Sequence, residues 1–176
     1  MGRGLGYSPL NRLPLPPRCQ TCYLPPMSPG GPTPMDLALS LAAEAAAHGE
    51  APVGAVVVEG TRVLAAERNR MRQLNDPTAH AEMLAIRAAL GKRGTGRLDG
   101  CDLYVTLEPC AMCAGAIAHA KVRRLYYGAE DTKAGAVDNG VRLFAQPTTH
   151  HRPEVISGLG EARASALLKQ FFQDRR

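Results

Sequence analysis

Apolar and polar residues follow two different periods along this chain, and together they predict a mixed α/β domain. Leu37, Leu41 and Ala45 recur every four residues, which indicates a helix with one apolar face. Shorter apolar runs that end at glycine, proline or acidic residues indicate strands. The predicted elements are a helix at 34–48, strands at 53–58 and 62–66 joined by a three-residue hairpin loop at 59–61, a helix at 78–90, a strand at 102–107, a helix at 110–120, a strand at 124–127, a short helix at 141–146, an edge strand at 154–156 and a helix at 161–175.

This order of elements predicts a three-layer α-β-α fold, with a mixed five-stranded sheet that carries helices on both faces. The sheet is expected to be parallel where a crossover helix joins two strands. The start of the first helix has its own signal, because Thr33 can act as the N-cap, Pro34 suits the first helical position and Asp36 falls in the first turn.

The N-terminal segment differs in composition from the rest of the chain. Residues 1–34 hold nine of the 14 prolines and show little periodicity, so we predict a disordered arm there and one folded domain at 35–176. An alternative is that the arm results from a misassigned start site. Cys19 and Cys22 form a C-x-x-C pair, but the first histidine after them is His48, so we interpret them as incidental thiols rather than a second zinc site.

Length, cysteine content and charge narrow the class of protein. The 176 residues suit one domain, and no apolar run approaches the roughly 20 residues of a membrane span. Five cysteines without a disulfide-like pattern and no secretory signal favour a reduced, cytoplasmic protein with no membrane partner. The net charge of +5 places +3 in residues 1–34, so bulk charge alone does not indicate RNA binding. Local basic clusters, at 121–124 and at Arg175 and Arg176, are by themselves ordinary solvated surface, and they become candidate contacts only if the substrate is an RNA.

Two short motifs thirty residues apart carry the candidate chemistry. His80 with Cys110 and Cys113 offers three ligands of the type that Zn²⁺ prefers, and a catalytic zinc keeps its fourth position for water. Glu82 is the natural proton carrier for that water. The pattern H-x-E…P-C-x-x-C is typical of zinc nucleobase deaminases. The spacing of the two cysteines puts both sulfurs on one helix face, near the N-terminal end of the helix dipole.

A structural zinc would need a fourth protein ligand. Cys101 is the obvious candidate, but it begins the strand whose other end leads to Cys110, about 20 Å of extended chain away. This separation favours an open, catalytic site with one Zn²⁺ per chain.

The sequence resembles the bacterial tRNA-specific adenosine deaminases of the cytidine-deaminase-like zinc deaminase superfamily. The resemblance is carried by Asn-Asp-Pro-Thr-Ala-His-Ala-Glu at 75–82 and Leu-Tyr-Val-Thr-Leu-Glu-Pro-Cys-Ala-Met-Cys-Ala-Gly-Ala-Ile at 103–117, and it extends from about Met35 to the C-terminus. It implies a homodimeric enzyme with the cytidine-deaminase-like fold. The implied reaction is hydrolytic deamination of adenosine to inosine at the wobble position of a tRNA anticodon, here of an arginine tRNA, by zinc-activated water with Glu82 as proton shuttle.

The resemblance also implies substrate contacts. Asn69 matches an asparagine near the target base, Asp131 matches a residue near the substrate nucleotide, and Glu108 could accept a hydrogen bond from the exocyclic amine. One of the adjacent Phe171 and Phe172 should be in the core, and we assign Phe172 to stacking on a nucleotide. Taken without the resemblance, Asn69 is a turn residue and Asp131 a loop acid.

The chain departs from the family pattern at Val137-Asp138-Asn139-Gly140, which replaces a Gly-Ser-Leu-like stretch. His150 likewise stands where asparagine is common. Two other functions are compatible with the motifs: a deaminase of a free base or nucleoside such as guanine or cytosine, and a non-catalytic RNA-binding module with a structural zinc. Glu82 disfavours the second of these, since a structural site needs no carboxylate directed at water.

Overall fold

The structure is a computed structural model that describes residues 31–173 of the chain. Its elements are α1 (Pro34–Ala47), β1 (Gly54–Glu59), β2 (Arg62–Arg68), α2 (Met71–Leu74), α3 (Ala81–Arg93), β3 (Cys101–Leu107), α4 (Ala111–Ala120), β4 (Arg124–Ala129), a 3₁₀ turn (Leu143–Ala145), β5 (Glu154–Ile156) and α5 (Glu161–Gln173). The predicted disorder of the arm up to residue 30 lies outside the described residues, as do Cys19, Cys22, Arg175 and Arg176. Within residues 31–173, no helix is long and apolar enough to cross a membrane.

The five strands form one mixed sheet in the order β2-β1-β3-β4-β5. β1 pairs antiparallel with both β2 and β3, whereas β3, β4 and β5 are parallel to one another. The C-terminal ends of β2, β3 and β4 therefore meet at one edge of the sheet, together with the start of β1. The predicted five-stranded mixed sheet, with β5 at its edge, is confirmed.

Helices cover both faces of this sheet, as predicted. α3 and α4 pack on one face, where apolar side chains such as Val57, Val105 and Ile117 form the larger core. α1 and α5 pack on the other face over Val56, Val58 and Ala129. The edge that carries the ends of β2, β3 and β4 is thus enclosed between two helical layers.

The N-terminus of α1 shows how local sequence sets an element boundary. The Thr33 side chain accepts a hydrogen bond from the Asp36 backbone N–H at 3.1 Å, and the Thr33 backbone N–H donates to the Asp36 carboxylate at 2.8 Å. This reciprocal capping box confirms the predicted start. The buried face is shifted from the prediction, because Met35, Ala38 and Leu39 are buried with Ala42 and Ala45, while Leu37 and Leu41 lie at its margin.

Several predicted boundaries move by a few residues. The hairpin loop has two residues rather than three, because Glu59 pairs directly with Arg62 and Gly60, at φ +60°, takes a tight turn that glycine tolerates. The helix predicted at 78–90 runs from Ala81 to Arg93 instead. The helix predicted at 141–146 is a 3₁₀ turn, and the short α2 has no counterpart in the prediction.

Candidate active site

The three candidate metal ligands lie at the N-terminal ends of two neighbouring helices. His80 is the N-cap of α3 and Cys110 the N-cap of α4, both with extended backbone angles, and Cys113 is the third residue of α4. The sequence predicts His80 and Cys110 inside the first helical turn, whereas each stands one position before it. An N-cap residue has non-helical backbone angles, so the side chains of His80 and Cys110 can both point toward the same position at the end of the sheet.

The distances between these ligand atoms suit a tetrahedral zinc ion. His80 Nδ1 lies 3.7 Å from the Cys110 sulfur and 3.5 Å from the Cys113 sulfur. Zinc bonds of about 2.3 Å to sulfur and about 2.0 Å to nitrogen place tetrahedral ligands roughly 3.5–3.8 Å apart. Within residues 31–173, this is the one group of three or more His, Cys, Asp or Glu side chains close enough to hold a metal ion. Cys101 is buried at the start of β3 and is not part of it.

The two sulfurs differ in their affinity for a proton. The hydrogen bond from the Cys113 thiol lowers the pKa of Cys110 to about 4, which makes Cys110 a thiolate at neutral pH. The hydrogen bond to Cys110, together with burial, raises the pKa of Cys113. A metal that binds both sulfurs therefore displaces the proton of Cys113, since thiolates are the form that coordinates zinc.

Glu82 lies in the first turn of α3, only two residues after His80, and is 4% exposed. Burial raises the pKa of its carboxyl group. A carboxylate with raised proton affinity beside a candidate metal centre is suited to accept and return a proton.

Asn69 lies at the same edge of the sheet, directly after β2. It is 4% exposed, and its side-chain amide donates to the carboxylate of Glu50 at 3.2 Å. Glu50 is itself 1% exposed and accepts hydrogen bonds from the backbone N–H groups of Arg72 and Gln73, at 2.9 and 2.8 Å. Sequence analysis missed Glu50, because an acid between a helix-ending glycine and a proline resembles an ordinary loop residue.

Glu108, for which a contact with the exocyclic amine is predicted, has a full set of hydrogen-bond partners within the protein. Its carboxylate accepts five hydrogen bonds, from the backbone N–H groups of Asp131, Val137, Asp138 and Asn139 and from the Asn139 side-chain amide, at 2.7–3.0 Å. No acceptor capacity is left for the exocyclic amine of a base. The amine contact stays a prediction that these hydrogen bonds disfavour, because in this structure Glu108 holds the loop after β4.

The hydrogen bonds to Glu108 also set its charge. Burial alone would raise the pKa of this carboxyl group, but the hydrogen bonds from Asn139, Asp131 and Val137 outweigh burial and keep the pKa below its usual value. Glu108 therefore remains an anion, as an acceptor of several backbone N–H groups must.

The remaining predicted residues lie in different surroundings. Asp131 follows β4, and its carboxylate accepts from the backbone N–H groups of Lys133 and Ala134, each at 3.0 Å. On α5, Phe171 is 9% exposed and Phe172 57% exposed, so the division into one core ring and one accessible ring is as expected.

The basic cluster at 121–124 lies at the other edge of the sheet, because Arg124 begins β4 and the site is at the end of that strand. Two of its members are engaged in ion pairs: Arg123 with Asp102 at 2.7 Å and Arg124 with Glu154 at 2.5 Å. This arrangement weakens the cluster as a candidate RNA contact.

Comparison with known proteins identifies the family. The family described as "Cytidine and deoxycytidylate deaminase zinc-binding region" matches residues 33–129, which include the three candidate ligands and Glu82. This chain belongs to that family. Zinc is accordingly the metal of this deaminase domain, and the His-Cys-Cys group is suited to bind it.

Similarity to individual deaminases extends over most of the chain. A tRNA-specific adenosine deaminase of Agrobacterium fabrum is 56% identical over 142 residues, which are 81% of this chain and 93% of that protein. The tRNA-specific adenosine deaminase of Haemophilus influenzae is 46% identical over 143 residues, 81% of this chain and 83% of that protein.

Solved structures show the same relation. One from a study of A-to-I editing by tRNA:A34 deaminases has a TM-score of 0.76 and 56% identity, over 77% of this chain and 98% of the other. A guanine deaminase of Nitrosomonas europaea has a TM-score of 0.68 at 28% identity, over 97% of both chains.

Proposed function

We propose that this protein is a zinc-dependent tRNA adenosine deaminase that converts adenosine to inosine at the wobble position of the anticodon. The observation that carries the substrate is the 56% identity to a tRNA-specific adenosine deaminase over 93% of that protein's length. The similarity to a guanine deaminase is lower, at 28% identity with a shared fold, and a free-base substrate is not favoured.

The reaction needs a metal, a proton carrier and a way to hold the base. His80, Cys110 and Cys113 are the residues that would bind zinc. When bound in such a site, zinc acts as a Lewis acid and lowers the pKa of a water molecule toward neutrality. The N-terminal end of α4 supports this assignment, because its helix dipole and the Cys113 backbone N–H stabilise the Cys110 thiolate.

Glu82 would carry the protons of the reaction. Water adds its oxygen to C6 of adenine and the exocyclic amine leaves as ammonia, so each turnover moves protons from the water to the base and to the leaving group. The Glu82 carboxylate takes a proton from the water, delivers it to N1 and then serves the departing nitrogen. Its burial supports this role, because it excludes bulk water and raises the proton affinity of the carboxylate.

Asn69 and Phe172 remain proposed substrate contacts. The amide of Asn69 is held by buried Glu50, which leaves its oxygen available to a base, and Phe172 offers an accessible ring for stacking. Asp131 is proposed to act through the turn that it caps. We further assign the protein to the cytoplasm, as a homodimer acting on an arginine tRNA, following the resemblance of its motifs to the bacterial enzymes.

The decisive experiment is inosine mapping. The zinc-loaded protein is incubated with an anticodon stem-loop that carries A34, with a matched G34 stem-loop, and with free adenosine, guanine and cytosine. Inosine at position 34 of the first substrate alone is the expected result. Turnover of a free base with no inosine in the RNA would instead identify a free-base deaminase.

A further inference from the structure

The loop of residues 131–140, which follows β4, is held from the inside by one carboxylate. Four of its backbone N–H groups and the Asn139 side chain donate to Glu108, so this loop wraps around a buried anion. Asp131 stabilises the first turn of the loop through Lys133 and Ala134. The 131–140 loop therefore has a defined shape without any contact to substrate.

The same loop lies directly against a candidate metal ligand. Gly135 pairs with Cys110 in an isolated β-bridge, and the Ala136 N–H donates to the Pro109 carbonyl at 3.0 Å. The fit is close: a Cβ on Gly135 would come within 2.4 Å of the Asp131 carbonyl oxygen and 2.5 Å of the Glu108 carboxylate. The loop thus forms a wall beside the active site, and because Gly135 pairs with Cys110, a displacement of the loop would also displace Cys110.

A second anchor holds the far part of the loop. The hydroxyl of Tyr127, a side chain wholly buried in β4, donates a hydrogen bond to the Asp138 carboxylate. Burial, followed by this hydrogen bond, raises the pKa of Tyr127, so the hydroxyl stays protonated and remains a donor. Asp138 stands in the Val137-Asp138-Asn139-Gly140 stretch in which this chain departs from the family pattern. A residue of this departing stretch, Asp138, therefore has a hydrogen-bond partner in the core, Tyr127.

We propose that Tyr127 and Asp138 are positioning residues that hold the 131–140 loop in place as a preformed wall for the RNA around the target base. The proposal rests on the proposed function. A preformed loop spares the complex the entropic cost of ordering it, so this anchor acts on substrate binding more than on the chemical step. Glu108 holds the loop through its backbone N–H groups, and the Tyr127–Asp138 pair adds a second anchor between two side chains.

The test uses Tyr127→Phe, which keeps the buried ring, and Asp138→Ala, singly and combined. Each variant should raise KM for the A34 stem-loop about tenfold, the size expected from removal of one hydrogen bond to a charged group, with kcat within about twofold of wild type. The double variant should be no worse than Tyr127→Phe alone, because that variant already removes the Tyr127–Asp138 hydrogen bond together with the contact of the hydroxyl with Ser157. Zinc content should remain at one per chain.

Two controls separate positioning from general damage. Asp138→Asn retains an oxygen that can accept the hydroxyl and should restore most of the binding. Tyr126→Phe removes a hydroxyl from the adjacent position of the same strand, where the ring stacks on Tyr104, and should leave KM unchanged.

Hydrogen exchange gives a readout that does not depend on activity. The peptide that contains the amides of 137–139 should exchange faster in Tyr127→Phe and Asp138→Ala than in wild type, while peptides from β3 and α4 should not change. Unchanged exchange in the loop, or a loss confined to kcat, would overturn the proposal. If wild type fails to deaminate the stem-loop, the proposed function fails, and the exchange comparison alone still decides whether the pair anchors the loop.

Discussion

Two buried glutamates stand beside the candidate zinc ligands, and their surroundings give them opposite affinities for a proton. Glu82 lies in the first turn of α3, and its burial raises the pKa of its carboxyl group. Glu108 precedes Pro109 and Cys110, and the backbone N–H groups that surround it keep its pKa low despite burial. One carboxylate can therefore exchange protons with substrate, and the other remains a permanent anion with a structural role.

The first prediction concerns Glu82. Glu82→Ala should reduce turnover by at least about 10²–10⁴-fold, because the variant lacks the group that carries protons between water and base. It should still bind about one zinc per chain, since Glu82 is not among the three clustered ligand atoms. Single-turnover deamination of the A34 stem-loop and metal analysis of the purified protein check the two halves of this prediction.

The matched controls for Glu82 are the ligand variants. Cys110→Ser and Cys113→Ser should lose zinc and activity together, because each removes one of two thiolates. Near-normal turnover by Glu82→Ala, or loss of its zinc, would show that Glu82 has been assigned the wrong role.

At the scale of elements, local signals are readable from the sequence and long-range partners are not. The Thr33–Asp36 capping box joins residues only three positions apart, and the sequence predicts Thr33 as the cap. It does not predict the acceptor of the loop amides, because Glu108 binds residues 23–31 positions later in the chain. A lone glutamate before a Pro-Cys motif carries no signal for such a partner.

The contact between Asn69 and Glu50 is likewise not predictable from the sequence, because the two residues are distant along the chain. Glu50 lies 19 residues before Asn69, and only the fold brings the two side chains together. The ligand set His80, Cys110 and Cys113 can be predicted from the sequence, because metal chemistry restricts the residue types and the helix restricts the spacing of the two cysteines. Chemistry of that kind leaves a pattern in the sequence, whereas a buried carboxylate that caps a loop does not.

The second prediction uses the N-terminus of α1. Thr33→Ala should lower the free energy of unfolding by about 1 kcal/mol through loss of the N-cap, and Thr33→Ser should retain most of it. The other half of the capping box depends on pH. Hydrogen bonds from Thr33 lower the pKa of Asp36 from 3.8 to about 2, so the stabilisation is complete above about pH 4 and is lost as the pH falls toward 2.

Urea unfolding of wild type and Asp36→Asn checks this dependence. The difference between the two midpoints should be largest at pH 5–7 and should shrink as the pH falls below about 4. A difference that stays constant down to pH 3 would show that the carboxylate charge of Asp36 is not what stabilises the helix.

At the scale of the whole molecule, the boundary of the domain becomes a testable question. We propose that the folded domain begins just before Thr33 rather than at Met35, because Thr33 caps α1 and the family match starts at residue 33. A chain that begins at Gly31 should fold and deaminate like the full protein. A chain that begins at Met35 should be less stable by about 1 kcal/mol, since it lacks the cap.

Thermal unfolding and steady-state kinetics of the three chains measure both effects. Residues 1–34 carry a charge of +3, so their removal should produce at most a modest, salt-dependent rise in KM and no change in kcat. Aggregation or half-loading with zinc in the chain from Gly31 would assign a structural role to the arm and to Cys19 and Cys22.

The last prediction asks where the RNA gains its affinity. A base inserted in the zinc pocket must be turned out of the anticodon loop, so much of the binding has to come from phosphates outside that pocket. The cluster at 121–124 is a poor source, because Arg123 and Arg124 already pair with acids and β4 separates them from the site by about 17 Å of strand. Arg175 and Arg176 follow α5 and its accessible Phe172, and they are the better candidates.

Reversal of both arginines to glutamate should therefore weaken deamination of the A34 stem-loop strongly. It should also reduce the salt dependence by about one unit of slope for each phosphate that the protein no longer neutralises. Lys121→Glu, a charge reversal at the edge of the sheet away from the candidate zinc ligands, should change neither quantity. The comparison also bears on the substrate itself, because a free base carries no phosphate and would be deaminated equally by wild type and by the double reversal. Wild-type deamination should depend strongly on salt, and only the reversal of Arg175 and Arg176 should reduce that dependence. This result would indicate an RNA substrate whose phosphates contact the two arginines that follow α5 in the sequence.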